Sequence, residues 1–331
     1  FACDSIMKAL QVVTPRSFTR VEIPMPELKS LAPDRILVQP QWVSLCGSDI
    51  PFFTGNKRYK TYPLPVGSPI HECAGTVMDS TSSLFQKGDW VVAIPENDQG
   101  LSEFFVGQAT KAVKLPPGTE GDGTVCLIQP LSTVMNAIDR LENLEGKTVA
   151  VMWLGSIGLF FCWLLKRQGV KQVIGIDPSA RRCDDAKKFG ADVVFPMRSI
   201  EVIQQSRQDE SFWTQPDIIV EAVGHQMETL NDCFELVQKR GTVLAFGVPD
   251  QPVYAVEYET LFRKNLNIIA SVTPVWSEYL VKARDVFLPA REELGKFVTH
   301  RFPIREAGQV FSLYERHAEG IIKALIDMSD W

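Results

Sequence analysis

The chain has 331 residues, 45% hydrophobic and 22% charged, with a formal net charge of −6: an ordinary globular composition with length for two domains, each carrying its own core. The acidic balance argues against nucleic acid or an anionic membrane as the main partner and leaves small molecules as the ligands to look for. Seven cysteines (Cys3, Cys46, Cys73, Cys126, Cys162, Cys183 and Cys233) are scattered with no Cys-x-x-Cys pair, so a reduced, cytoplasmic protein without a four-cysteine zinc knot is expected.

Nothing at the start reads as a secretory signal, and because Met7-Lys8-Ala9-Leu10 reads as a natural start, residues 1–6 are expected to be an extension. From Lys8 to Cys126 short β-like runs alternate with Pro and Gly. Strands are predicted at residues 35–39, 41–45, 74–78, 90–94 and 104–106, the pattern of a small β-barrel. Beyond Cys126 strands alternate with helices. Strands are predicted at 148–152, 173–177, 192–195, 217–222, 242–246 and 267–272, with helices such as 180–189 and 228–239 between them, which is the texture of a doubly wound parallel sheet. The tail is mixed again: a helix at 277–287, a strand at 297–302, a helix at 304–317 and a last strand at 321–326. The apolar run from Val149 to Leu165 is too short for a comfortable membrane span and is broken by Gly155-Ser156, so a buried strand and a buried helix are expected there.

The stretch from Val149 to Asp177 has the outline of a βαβ dinucleotide site. An apolar strand turns through Leu154-Gly155-Ser156-Ile157-Gly158 into a helix, and a second β-rich run ends on Asp177. Glycines at such a turn let the backbone approach a pyrophosphate, the helix N-terminus presents unpaired N–H groups, and the acidic residue accepts hydrogen bonds from a ribose. Gly155 and Gly158 fill the second and third positions of a G-x-G-x-x-G register, but the first is Trp153, a bulky residue where a tight turn favours no Cβ. Its ring is expected to pack against or partly fill the cofactor cleft.

Upstream, Cys46-Gly47-Ser48-Asp49 is followed twenty-five residues after the cysteine by His71-Glu72. A thiolate and an imidazole from separate loops, with a carboxylate beside one of them, can supply the three protein ligands of an open zinc site acting as a Lewis acid on an alcohol or carbonyl oxygen.

Taken together, these stretches resemble the zinc-type medium-chain alcohol dehydrogenases, on the polyol and threonine dehydrogenase side. The resemblance also rests on residues 65–72 (PVGSPIHE), Lys87-Gly88-Asp89-Trp90-Val91-Val92, Gln129-Pro130-Leu131-Ser132, Phe189-Gly190-Ala191-Asp192 and Gly247-Val248-Pro249, in family order over nearly the whole chain. It implies an α/β protein with a GroES-like β-barrel catalytic domain at 1–126 and 277–331 and a Rossmann NAD(P)-binding domain at 127–276. It further implies that Cys46 and His71 ligate one catalytic zinc, with Glu72 a third ligand or close neighbour. Asp49 would orient the histidine, and Ser48 would pass the substrate proton toward solvent. Trp153, Leu154, Gly155, Ser156, Ile157, Gly158, Asp177, Arg182 and Val223 fall at the cofactor positions. Asp177 would repel a 2′-phosphate, favouring NAD over NADP, while Arg181 and Arg182 keep NADP open.

The departures matter equally. Ile70 replaces a glycine before His71, and Gln129 stands where a stronger ligand is usual, making it a weak metal ligand or a contact to water. Pro51 stands where some relatives carry a relay histidine, and the cysteine-rich lobe that holds a structural zinc in many relatives is missing between Val92 and Leu101. The expected activity is hydride transfer between NAD(H) and a secondary alcohol or polyol, or its ketone, by a homodimer or homotetramer. Two other readings are a degenerate member that binds a nucleotide or partner without turnover, and a zinc-free NADPH-dependent enone or quinone reductase. Lys57, Arg58 and Lys60 could recognise an anionic substrate, though a solvated loop explains them as well.

Overall fold

The computed structural model describes residues 6–27, 32–56 and 61–331. Expectations placed on residues 1–5, on Cys3 and on the cations Lys57, Arg58 and Lys60 lie outside the described residues, whereas Ile6 already belongs to a strand, paired with Pro24. Backbone contacts divide the chain into two units, one of Phe1–Ser132 with Val275–Trp331 and the other of Thr133–Pro274.

The first unit opens on an antiparallel hairpin, β1 (Ile6–Thr14) and β2 (Ser17–Pro24). Next comes β3 (Arg35–Ser44), where the sequence suggested two strands. Pro40 has no N–H for the ladder, and the register shifts between Pro40 and Trp42 as a bulge, so one bent strand runs through both predicted runs. A turn at Gly47–Asp49 and the short helix α1 (Ile50–Thr54) lead to β4 (Glu72–Ser80), β5 (Trp90–Pro95) and β6 (Phe105–Lys114). The strand predicted at 104–106 is thus the first part of a longer one. Its extra length lets β6 pair with β3 as well as β5, which curls the sheet back on itself as a barrel. Trp90 of β5 is 4% exposed.

Helix α2 (Ile128–Asp139) leads into the second unit, built from β7 (Thr148–Met152), α3 (Ser156–Arg167), β8 (Gln172–Ile176), α4 (Ala180–Lys188), β9 (Val193–Phe195), α5 (Ser199–Gln208), β10 (Ile218–Glu221), α6 (Glu228–Leu236), β11 (Thr242–Ala245), α7 (Tyr258–Lys264) and β12 (Asn267–Ala270). Its six strands lie in the order β12-β11-β10-β7-β8-β9 and all pair in parallel. A strand covered by helices on both faces does not alternate polar and apolar residues, which is why β7 runs apolar from Val149 to Met152 after Thr148, every residue buried. The strand order reverses at β7, so the turn after β7 sits at the switch point where doubly wound sheets take ligands. The apolar run 149–165 is accounted for as β7 and α3, and among the described residues no helix is long and apolar enough to cross a membrane.

The tail carries α8 (Trp276–Phe287), α9 (Arg291–Leu294), β13 (Val298–Pro303), α10 (Ala307–Glu315) and β14 (Lys323–Asp327). It returns to the first unit: β14 pairs with β3 over Trp42–Ser44, beyond the stretch that meets β6, setting Leu325 opposite Ser44, and β13 extends the sheet by pairing in parallel with β14. Phe311 of α10 meets Phe53 at 4.9 Å and Phe18 at 5.1 Å between ring centroids, tying helix, α1 and hairpin into one core.

Candidate active site

The end of β3 and the start of β4 are neighbours in the barrel sheet, with Ser44 opposite Glu72. The loops at these ends are therefore brought side by side whatever their separation in sequence. Cys46 Sγ, a ring nitrogen of His71 and a carboxylate oxygen of Glu72 all lie within 4.8 Å of one another.

Asp49 organises this cluster. Its buried carboxylate accepts the Cys46 N–H at 2.8 Å through Oδ2 and faces His71 Nδ1 at 3.1 Å through Oδ1. Holding Nδ1 fixes the ring and reserves Nε2 for a ligand role. Burial pulls the His71 pKa down, but the Asp49 carboxylate and the neighbouring Cys46 sulfur outweigh it and hold the imidazole well above its ordinary value. Ser48 sits half-buried on the same turn, between Cys46 and Asp49. Gln129 lies at the start of α2, 4% exposed, and its backbone carbonyl accepts from Ser132 Oγ at 2.5 Å.

One member was not foreseen. Lys323 of β14 is fully buried, with Nζ 2.6 Å from each Glu72 oxygen and 2.8 Å from the Leu45 carbonyl it donates to. Burial alone would lower the lysine's pKa; the Glu72 carboxylate reverses that and raises it. The signal was present in the sequence as a single cation inside the apolar run Ile321-Ile322-Lys323-Ala324-Leu325-Ile326. A buried charge on a strand requires a partner, but nothing local names it. A sulfur, an imidazole and a carboxylate with an orienting second carboxylate form a donor set suited to zinc.

The second unit presents the glycine turn. A Cβ on Gly158 would lie 2.0 Å from the Trp153 carbonyl oxygen, so only glycine lets α3 start this close to β7. Trp153 itself adopts φ 79°, a left-handed backbone that costs a non-glycine residue about 1–2 kcal/mol. Its N–H donates to the Ile176 carbonyl at 2.8 Å. Leu154 and Ser156 are buried, and Ile157 is half-buried at the helix start.

Asp177 is placed differently from the sequence expectation of a ribose acceptor. Its side chain has no exposure: Oδ2 accepts the Leu154 N–H at 2.9 Å and lies 3.5 Å from Arg182 Nη1, while Oδ1 accepts the Ser179 N–H at 2.8 Å. It braces the turn and the start of α4 from inside, a role that spacing along the chain does not distinguish from an outward one. The Arg182 guanidinium stacks 4.4 Å from the centroid of the Trp153 ring. On the other side of the sheet's switch point, Val223 donates its N–H to Glu221 Oε1 at 3.0 Å; Gly224 N and Thr229 Oγ1 donate to the same oxygen. The strand–turn–helix fits a dinucleotide phosphate, and the Trp153 ring lies beside Gly155 of the turn with Arg182 stacked on it.

Residues 32–126 match the family of alcohol dehydrogenase GroES-like domains, and residues 156–284 match the zinc-binding dehydrogenase family. The chain is 25% identical over 335 residues to a sorbitol dehydrogenase from Bombyx mori, covering 89% of this chain and 91% of that protein. It is 25% identical over 327 residues to an L-threonine 3-dehydrogenase from Caldanaerobacter subterraneus, covering 90% and 91%. Among solved structures it resembles an alcohol dehydrogenase from Escherichia coli in complex with NADH (TM-score 0.80, 22% identity, 98% of this chain and 100% of that one). It also resembles a zinc-binding dehydrogenase from Sinorhizobium meliloti bound to NADP (TM-score 0.81, 20% identity, 98% and 100%). Both likenesses are likenesses of fold. A barrel sheet carrying a sulfur–imidazole–carboxylate cluster where the end of β3 meets the start of β4, a parallel sheet with a glycine turn at its switch point and the match to the zinc-binding dehydrogenase family together define an oxidoreductase. The chain belongs to the zinc-type medium-chain dehydrogenases, the family of polyol and alcohol dehydrogenases.

Proposed function

We propose that this enzyme transfers hydride between a secondary alcohol or polyol, or the matching ketone, and NAD(H), using one zinc per chain held by Cys46, His71 and Glu72. The observation that carries the reading is the convergence of these donors within 4.8 Å. Zinc would supply a Lewis acid for the substrate oxygen, and the dinucleotide would supply the hydride acceptor. The chain's own residues do the rest. Asp49 holds the His71 ring and the Cys46 backbone in one orientation, and Lys323 holds both Glu72 oxygens in a dry setting. Ser48, on the turn beside the cluster, accepts the hydroxyl proton of the alcohol while releasing its own toward solvent, since at neutral pH that proton does not leave unaided. Asp177 favours NAD because a 2′-phosphate would bring a second negative charge to the end of β8, although Arg182 offsets part of that charge.

The six described cysteines are all free thiols, which supports a reducing, cytoplasmic setting. Among the described residues β12 pairs only with β11, and it exposes Ile268 at 44%, so a second copy joined along this edge is the assembly we favour. The test is metal analysis of protein purified without added zinc, together with NAD reduction followed over a panel of polyols, simple secondary alcohols and threonine. One zinc per chain with turnover on a polyol or secondary alcohol supports the reading. Metal-free protein active only with NADPH on enones, or protein without turnover on any of them, replaces it.

A further inference from the structure

We propose that Trp153 is a built-in occupant of the dinucleotide site: its indole fills the approach to the glycine turn, Arg182 clamps it there, and a dinucleotide binds only by displacing the pair. The inference rests on reading this turn as a nicotinamide dinucleotide site. A glycine in the second position of the turn serves to leave its side-chain space empty for a pyrophosphate. Here that space is taken, since a Cβ on Gly155 would meet Trp153 Nε1 at 3.0 Å and Cδ1 at 3.4 Å. The indole therefore lies where the missing side chain of Gly155 would otherwise admit the ligand.

The outer face is closed by Arg182, whose guanidinium lies 4.4 Å from the ring centroid, a stacking distance for a cation on an indole. The same guanidinium reaches Asp177 Oδ2 at 3.5 Å, and the Asp177 side chain beneath has no exposure. Three groups that would meet the adenosine half of a dinucleotide are thus engaged with one another. The arrangement is held by the backbone too: Trp153 keeps φ 79° while its N–H is tied to Ile176, so the ring leaves by side-chain rotation rather than by loosening the turn. A site open only a fraction of the time binds with its intrinsic constant divided by that fraction, so removing the occupant tightens binding.

The experiment is calorimetric titration of the intact enzyme and of Trp153→Gly and Trp153→Ala with NADH and with ADP-ribose, which carries the adenosine, both riboses and the pyrophosphate but no nicotinamide. Glycine suits the left-handed backbone. Alanine keeps a Cβ and the strain, so the pair of variants separates loss of the ring from relief of the backbone. Both variants are expected to bind NADH and ADP-ribose about tenfold tighter or more. Equal or weaker binding of ADP-ribose by both variants overturns the latch, and if NADH still binds the intact enzyme the dehydrogenase reading stands. NADH binding to none of the three proteins overturns both.

Discussion

Lys323 and Glu72, 251 residues apart in the chain, form an ion pair from which solvent is wholly excluded, the lysine ammonium 2.6 Å from both carboxylate oxygens. The pair links the last strand of the barrel to the first residue of β4, immediately beside His71. Removing one partner leaves the other charge buried and alone. Lys323→Met is expected to destabilise the folded enzyme by about 3–5 kcal/mol, whereas the double variant Lys323→Met/Glu72→Gln recovers a large part of that. Urea denaturation of the four proteins in the cycle measures it, and a double variant as unstable as the single one would contradict the pairing.

Asp49 is expected to act on the metal without touching it. Asp49→Asn keeps the size of the side chain but loses the charge facing His71 Nδ1 at 3.1 Å, and zinc affinity should fall about 10–100-fold. Competition against a chromophoric chelator reads the change directly.

Cys46 is the least buried of the described cysteines, the other five being closed in. In a Cys3→Ser background, iodoacetamide should modify zinc-stripped enzyme at Cys46 first, and added zinc should suppress the labelling. Peptide mass analysis identifies the modified residue. Labelling unaffected by zinc would argue against this sulfur as a ligand.

Gly158→Ala should be poorly tolerated. Its methyl group would be driven to 2.0 Å from the Trp153 carbonyl, and backbone on both sides is held by β7 and α3, so at least about 1–3 kcal/mol of stability is lost. The shift in the denaturant midpoint tests this.

The second unit should weaken in alkali. Burial pushes the Cys162 thiol up to about 12 and Cys183 to about 11, and raises Cys233 well above the ordinary value. Unfolded thiols ionise near ~8.5, so between that pH and the folded values the unfolded chain binds fewer protons. Stability is complete below about pH 8.5 and falls as pH rises, each thiol contributing on the order of 1 kcal/mol per pH unit. Urea midpoints at pH 8 and pH 10 should differ, and Cys162→Ala should reduce the difference.

The sequence was most informative where structure is local. The six strands of the parallel sheet lie within two residues of their predicted ends, because each is a short apolar or β-branched run bounded by turns. Cys46, His71 and Glu72 were legible as a set because a thiol, an imidazole and a carboxylate in that order are chemically unusual. The barrel was read less well. Runs 35–39 and 41–45 proved to be one strand, since Pro40 marks a bulge as readily as a break, and β6 extends well past the predicted 104–106.

By itself the sequence determined that segments of a β-rich module with metal-type donors precede and follow, along the chain, a doubly wound one carrying a glycine turn, because periodicity, turn residues and donor chemistry are properties of neighbouring positions. Tertiary structure alone decided that Lys323 sits on Glu72, that Asp177 turns inward, and that Trp153 lies over Gly155 under Arg182. Those facts depend on which strand joins which edge and on which way a side chain rotates once packed. The residues involved come from different elements, and the free energy that aligns them exists only after the sheets have assembled.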